Sequence, residues 1–185
     1  MNFYEFCVIV VRSILYVIIR FRAYGSENVP KEGAFLLCAN HKSNIDPVLL
    51  AAGADRQMTF MAKDELFHVP LFGRLIRRLG AFPIKRGKGD AAAIMATLKI
   101  LKRGDATVIF PEGRRMHHGE RKEVNPGIVR LAIQARVPIV PAFVGKHTVT
   151  YGEPIVYSAD TDVRDGDKLR VLADELMDTI YGLKG

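Results

Sequence analysis

Apolar residues occur along this chain in two patterns: short unbroken runs, and stripes that return every third or fourth position. An unbroken run is typical of a strand buried on both faces, whereas a stripe is typical of a helix that packs by one side. The runs lie at 34–39, 58–61, 81–85, 107–110 and 138–144, and the helical segments lie at 47–54, 71–79, 90–102, 127–136 and 167–181. Because strands alternate with helices, we predict an α/β fold: a single layered domain with a largely parallel central sheet flanked by helices.

The first 22 residues form a separate part of the pattern. Positions 3–19 are mostly apolar or aromatic, but Arg12 interrupts them, and Arg20 and Arg22 close the segment. The run is shorter than the roughly 18 apolar residues of a spanning helix, and it lacks the basic start and Ala-x-Ala site of a signal peptide. We predict that residues 1–22 form a membrane-associating helix lying in one leaflet, with its arginines reaching headgroups. The alternative is an N-terminal helix packed on the core of a domain at 23–185.

Length, charge and cysteine content restrict the class of protein. A chain of 185 residues suits one domain with a sizeable core. Its formal net charge of +7 indicates an anionic partner: nucleic acid, an acidic membrane surface or a phosphorylated small molecule. Trp is absent and no zinc-finger spacing occurs, which argues against nucleic acid. Cys7 and Cys38 are the two cysteines, and their placement favours free thiols in a reducing cytoplasm.

The polar segment that follows the first buried run is the strongest candidate for catalysis. Residues 40–47 read Asn-His-Lys-Ser-Asn-Ile-Asp-Pro. Histidine exchanges protons near neutral pH, and a carboxylate on its far ring nitrogen would fix the tautomer and stabilise the imidazolium. His41 and Asp46 are therefore candidates for a general base and its partner. Two alternatives stay open: Asp46 as the N-cap of a helix whose first residue is Pro47, and His41 as an ordinary loop residue.

Two further segments place arginines after predicted strands. Residues 110–115 read Phe-Pro-Glu-Gly-Arg-Arg, and 80–87 end a strand on Lys85 and Arg86. Guanidinium groups match phosphate oxygens in a bidentate manner, so these loops are candidate phosphate sites. Exposed basic loops are the alternative. The adjacent pair at 117–118, two histidines without further ligands nearby, is a poor metal site, and we predict no bound metal.

Four segments, in this order, resemble the sequence blocks of the glycerolipid acyltransferases, especially the 1-acylglycerol-3-phosphate acyltransferases of bacteria. Residues 40–47 resemble Asn-His-x-Ser-x-x-Asp-Pro, 63–86 resemble a Lys-containing block ending in Gly-Ala-x-Pro-x-x-Arg, 110–115 resemble Phe-Pro-Glu-Gly-Thr-Arg, and 137–141 resemble Val-Pro-Ile-Val-Pro. The resemblance covers about residues 22–157. Two departures stand out: Arg114 replaces the usual threonine, and Asn-Pro-Gly at 125–127 replaces a lysine-rich approach to the glycine.

The resemblance implies an enzyme that moves a fatty acyl chain from a thioester to the free hydroxyl of lysophosphatidic acid. The product is phosphatidic acid, used in phospholipid biosynthesis. By this resemblance His41 deprotonates the hydroxyl and Asp46 orients the imidazole. The substrate-binding residues implied are Arg115 and Arg86 for the phosphate, Lys63 and Arg114 as weaker phosphate contacts, and Glu112 and Gly113 as residues that shape the pocket, with Glu112 also able to bond an acceptor hydroxyl.

The resemblance also implies the partners and the location. No cofactor or metal is expected beyond the co-substrate, which is acyl-CoA or acyl carrier protein. The helix at 1–22, together with Arg74, Arg77 and Arg78, would dock the domain on an anionic membrane surface at the cytoplasmic face, as a peripheral or monotopic protein. Two rivals remain: the same chemistry on another lysolipid, such as lysophosphatidylglycerol or a lyso-aminolipid, and a non-catalytic domain that binds anionic lipid or nucleic acid.

Overall fold

The computed structural model describes residues 2–84, 90–113 and 124–184. The helices are α1 Phe3–Ile19, α2 Asp46–Gly53, α3 Phe72–Arg78, α4 Asp90–Leu101, α5 Gly127–Ala135 and α6 Gly166–Gly182. The strands are β1 Arg22–Tyr24, β2 Leu36–Ala39, β3 Met58–Lys63, β4 Ala81–Ile84, β5 Ala106–Ile109, β6 Ile139–Val144 and β7 Thr148–Tyr151. Short 3-10 turns cover Ser26–Asn28 and Asp64–His68. Each segment that the apolar pattern assigns to a strand or helix is found with its ends shifted by one or two residues.

The seven strands form one sheet in the order β1-β7-β6-β2-β5-β3-β4. Neighbouring strands are parallel except for β6 and β7, which run antiparallel. The predicted α/β fold with a largely parallel sheet is confirmed. The sequence pattern did not predict β1 and β7, because each is very short and carries polar residues that break any apolar run.

The central strand β2 explains why its apolar run shows no alternation. All four residues from Leu36 to Ala39 are fully buried. Leu37 and Ala39 pack into a core shared with α1 and α2, while Leu36 and Cys38 pack into a second core shared with α5 and α6. A strand covered by helices on both faces must be apolar at every position.

Helix α1 both packs on the domain and exposes apolar side chains. It starts with a capping box, in which the Asn2 side chain accepts from the Glu5 amide and the Glu5 carboxylate accepts from the Asn2 amide. Tyr4 is buried on its inner side. The apolar outer face of α1 consists of the exposed residues Phe6, Ile9, Val10, Ile14, Tyr16, Val17 and Ile18. None of the described helices has the length and apolar character needed to cross a bilayer.

Arg12 connects α1 to the end of α2 by hydrogen bonds. The arginines of this segment were expected to contact lipid headgroups, but the Arg12 guanidinium bonds to the protein. Its Nε donates to the carbonyl of Ala52 at 2.5 Å, and one Nη donates to the carbonyl of Ala54 at 3.2 Å. The same Nη lies 2.8 Å from a carboxylate oxygen of Asp55. The last carbonyls of a helix lack partners within the helix, so Arg12 stabilises the C-terminus of α2.

Arg12→Met should lower the free energy of unfolding by about 1–3 kcal/mol, since charged hydrogen bonds to main-chain carbonyls are lost while the aliphatic stem remains. Chemical denaturation followed by circular dichroism measures the change. Asp55→Asn is the matched control, because it removes only an ion pair whose carboxylate side chain is 75% exposed and should cost less than about 1 kcal/mol. Equal effects of the two variants would show that the bonds to the carbonyls contribute nothing.

Candidate active site

The candidate site lies at the carboxyl end of β2, and a buried asparagine fixes its position. Asn40, the residue after β2, has no exposed surface. Its side-chain amide donates to the carbonyl of Val144 at 3.1 Å, and its carbonyl oxygen accepts from the amide of Val144 at 2.7 Å. The side chain thus extends the pairing of β2 with β6 by one step and determines where the next residue, His41, leaves the sheet. Nothing in the sequence pattern indicated this role for Asn40, although the residue is part of the segment that resembles the family.

His41 and Asp46 are in direct contact. The Nδ1 atom of His41 lies 2.9 Å from Oδ2 of Asp46. The same oxygen accepts from the amides of Lys42 and Ser43, each at 2.7 Å. These three donors compensate the charge of a carboxylate whose side chain is only 3% exposed. Because an ionised carboxylate only accepts, Nδ1 carries the hydrogen and Nε2 is the nitrogen that can take a proton from a substrate.

The predicted N-cap role of Asp46 is wrong. Helix α2 begins at Asp46 itself, with Ile45 in the N-cap position and without a side-chain capping bond. An N-cap side chain bonds amides two or three residues downstream, whereas the Asp46 carboxylate bonds His41, Lys42 and Ser43, which are upstream. The carboxylate therefore organises the preceding loop and not the helix.

The loop after β5 lies against the loop after β2. The two strands are paired in parallel register, with Cys38 opposite Ile109, so their carboxyl ends meet at one edge of the sheet. The Phe110 ring stacks on the His41 ring with centroids 4.0 Å apart and planes inclined by 20°. The His41 side chain remains 18% exposed. The Phe110 ring therefore covers one face of the imidazole, while part of the side chain stays accessible to a substrate.

The buried side chain of Glu112 bonds to two other residues of this site. Its residue is 3% exposed, Oε2 accepts from the His41 amide at 2.8 Å, and Oε1 accepts from the Tyr181 hydroxyl at 2.6 Å. Gly113, which follows, has φ of +66°, a conformation that costs energy for residues with a Cβ atom. The Gly113 amide donates to the Phe110 carbonyl at 3.0 Å and closes a tight turn.

Of the remaining predicted site residues, one lies farther from His41 and three lie outside the described residues. Lys63 ends β3 and is exposed. Strand β5 separates β3 from β2, so Lys63 lies roughly 10 Å across the sheet from the His41 loop at the usual strand spacing. Arg86, Arg114 and Arg115 lie outside the described residues.

An apolar cavity of about 250 Å³ adjoins the His41 loop. It lies between α1, α2, α3 and β3, and Asn44, Pro47 and Val48 of the loop and of α2 form part of its wall. Other lining residues are Val8, Val11, Ala51, Phe60, Ala62 and Ile76. The sequence pattern did not predict this cavity, because its walls come from four separate elements. Its shape and lining suit an apolar chain more than a polar ligand.

Cys38 is not a candidate nucleophile, and neither cysteine forms a disulfide. Cys7 and Cys38 are both free. Complete burial raises the pKa of the Cys38 thiol far above its usual value, so the thiol stays protonated. Within the described ranges, no group of three or more His, Cys, Asp or Glu side chains is arranged to hold a metal ion.

Comparison with known proteins places this geometry in context. A sequence model of the family described as Acyltransferase matches residues 20–145. A 1-acyl-sn-glycerol-3-phosphate acyltransferase of Bacillus subtilis is 27% identical over 98% of this chain and 96% of its own length. Its counterpart in Streptococcus pneumoniae is 36% identical over 71% of this chain and 47% of its own length, and human 1-acyl-sn-glycerol-3-phosphate acyltransferase alpha is 30% identical over 72% and 48%. The chain thus spans about half the length of the latter two relatives.

A solved structure supports the fold independently. The crystal structure of a 1-acyl-sn-glycerophosphate acyltransferase from Thermotoga maritima superimposes with a TM-score of 0.74 at 21% sequence identity. The match covers 98% of this chain and 80% of the other. The shared architecture therefore extends over nearly the whole chain, including α1.

Proposed function

The chain belongs to the acyltransferase family, and we propose that it transfers a fatty acyl group from a thioester to the free hydroxyl of lysophosphatidic acid, forming phosphatidic acid. The main support for this proposal is the 2.9 Å contact between His41 Nδ1 and Asp46, at a partly exposed imidazole in a loop that borders an apolar cavity through Asn44. The names of the relatives from Bacillus subtilis and Streptococcus pneumoniae support lysophosphatidic acid as the acceptor.

In the proposed mechanism, His41 acts as general base and then as general acid. Nε2 takes the proton of the acceptor hydroxyl while that oxygen attacks the thioester carbonyl carbon. The tetrahedral intermediate collapses, the C–S bond breaks, and the departing thiolate receives the proton from the imidazolium. Asp46 stabilises the imidazolium between these steps. A positioned base of this kind contributes about 10²- to 10⁴-fold in rate, and alignment of the two substrates contributes further.

The two substrates would occupy different surroundings. The apolar cavity beside Pro47 and Val48 suits the acyl chain of the donor. The acceptor phosphate would bind Arg86 and Arg115, with Lys63 and Arg114 as weaker contacts. Arg114 and Arg115 directly follow the Gly113 turn in the chain, which makes them suitable neighbours of His41. Glu112 already accepts bonds from two protein donors, and we therefore assign it to positioning and not to the acceptor hydroxyl.

The test is an assay of the purified protein with labelled acyl-CoA or acyl carrier protein and a panel of acceptors. Lysophosphatidic acid, lysophosphatidylglycerol and a lyso-aminolipid are supplied separately, and products are identified by mass spectrometry. Phosphatidic acid should form fastest, and donors with long acyl chains should outcompete short ones because they fill the apolar cavity. Absence of phosphatidic acid with either donor would overturn the assignment, and faster acylation of another acceptor would select the rival enzyme.

We also propose that residues 1–22 attach the domain to the cytoplasmic face of an anionic membrane as a peripheral protein. The apolar outer face of α1 is large, and α3 adjoins it: the Arg78 guanidinium lies 3.9 Å from the centroid of the Phe3 ring. Leu71, Phe72 and Leu75 are exposed there as well. Apolar residues flanked by arginines suit the interface between headgroups and acyl chains.

Val17→Asp should weaken binding to vesicles containing phosphatidylglycerol by about tenfold or more, since it removes apolar contact and adds a charge that the surface repels. Val17 is 77% exposed on α1. Val171→Asp is the matched control, because Val171 is 56% exposed on α6, which packs on the opposite face of the sheet. Vesicle co-sedimentation measures both. If the two variants bind like the unmodified protein, α1 does not contact the membrane through this face.

A further inference from the structure

The last turn of α6 reaches the candidate site. Leu169, Leu176 and Ile180 bury one side of this helix in the core beneath the sheet. Tyr181 follows them, and its hydroxyl donates to Oε1 of Glu112 at 2.6 Å. The Tyr181 ring is held separately by an edge contact to Phe143, with centroids 6.0 Å apart and planes inclined by 62°. The ring and the hydroxyl therefore make different contacts.

Glu112 connects Tyr181 to the loop that carries His41. Its second oxygen, Oε2, accepts from the main-chain amide of His41 at 2.8 Å. Glu112 as a whole is 3% exposed, so its carboxylate bridges a side chain of α6 and the main chain of His41 in the protein interior. Charge-assisted hydrogen bonds in such surroundings are stronger than neutral ones and set geometry more tightly.

We propose that Tyr181 is a positioning residue for acyl transfer: its hydroxyl orients the Glu112 carboxylate, which in turn fixes the main chain that carries the His41 imidazole. The inference rests on the proposed function for its catalytic consequence. Through its bond to Glu112, Tyr181 acts on the reaction indirectly. Without its hydroxyl, the buried Glu112 carboxylate loses a donor and can rotate, and the His41 loop loses a fixed acceptor.

Tyr181→Phe isolates the hydroxyl, because the ring contact to Phe143 is kept. The variant should lower kcat about tenfold, with KM for donor and acceptor nearly unchanged, since a shift in the base affects the reacting geometry and not substrate binding. Tyr157→Phe is the matched control. Tyr157 is a partly buried tyrosine packed against the same core, and its variant should keep the kcat of the unmodified protein.

A double-mutant cycle separates an indirect role from a direct one. If Tyr181 acts through Glu112, Tyr181→Phe should change kcat by less than about twofold when Glu112→Ala, which leaves no acceptor, is already present. Equal effects in both backgrounds would mean that Tyr181 acts by a route other than Glu112 and would overturn the proposal. An unchanged kcat in the Tyr181→Phe variant, at unchanged melting temperature, would overturn it too.

Hydrogen exchange provides a readout that does not depend on the reaction. The His41 amide is bonded to Glu112, so exchange in peptides covering 40–46 should accelerate about tenfold in Tyr181→Phe and stay unchanged in Tyr157→Phe. If the unmodified protein acylates no lysolipid, the proposed function fails, and this measurement alone decides whether Tyr181 holds the His41 main chain. Unchanged exchange would overturn that role whatever the acceptor.

Discussion

His41→Ala should lower kcat for acyl transfer by about 10²- to 10⁴-fold, the contribution of a positioned general base. The imidazole is the group whose Nε2 faces away from Asp46 and can take the proton of the attacking hydroxyl. Its side chain is 18% exposed and its main chain is held by Glu112. The loop should therefore keep its conformation, and the loss should lie in kcat with little change in KM.

The matched control for this variant is His68→Ala. His68 ends the 3-10 turn after β3, its side chain is 75% exposed, and Nε2 lies 3.5 Å from an Asp64 carboxylate oxygen. Its removal should leave kcat within about twofold, because an exposed ion pair contributes little. Steady-state kinetics on lysophosphatidic acid, with circular dichroism to verify folding, measures both variants. A folded His41→Ala protein with normal turnover would rule out the proposed mechanism, and one that merely keeps its affinity for vesicles or polynucleotides would not.

Asp46→Asn should lower kcat by about 10²-fold or more while preserving most of the stability. The amide oxygen of asparagine can take the place of Oδ2 and accept from Lys42 and Ser43, so the loop is retained. The negative charge that stabilises the imidazolium is lost. The cost in unfolding free energy should be about 1 kcal/mol. Asp46→Ala should cost about 3 kcal/mol, because three donors then lose their buried acceptor.

Asp165→Asn is the control for Asp46→Asn, because it makes the same substitution at an aspartate that only caps a helix. Asp165 is the N-cap of α6 and accepts from the Lys168 amide at 2.9 Å. Asparagine and aspartate cap helices about equally well, so this variant should be nearly silent in both stability and kcat. If Asp46→Asn behaves in the same way, Asp46 is only a structural residue. Kinetics and denaturant unfolding on the same preparations distinguish these outcomes.

The pairing of His41 with Asp46 was predictable from sequence as a possibility, and the structure selected it from the alternatives. Spacing alone did not exclude an N-cap aspartate or an ordinary loop histidine. Three donors converging on one carboxylate oxygen exclude the N-cap alternative and show that the two side chains are in contact. The proximity of the two polar loops followed from the parallel fold, since adjacent parallel strands end at the same edge of a sheet.

The role of α1 was only partly predictable. Its apolar composition indicated a helix at an interface, and its exposed outer face agrees with that expectation. The same helix also packs on the domain through Tyr4 and Arg12, which corresponds to the alternative reading. A stripe pattern cannot show this, because one helix that is apolar on several sides can contact protein on one and lipid on another.

Local runs and stripes of apolar residues, which record burial position by position, were enough to predict five of the seven strands, the helices and the largely parallel sheet. Four sequence blocks indicated the family. The surroundings of His41 could be found only in the folded chain: the bonds of Asn40 to Val144 and of Glu112 to Tyr181, and the cavity between α1, α2, α3 and β3. The residues of these pairs are separated by 104 and 69 positions along the chain. A contact between distant segments leaves no periodic pattern of apolar residues in either segment. It can therefore be identified only in the folded chain.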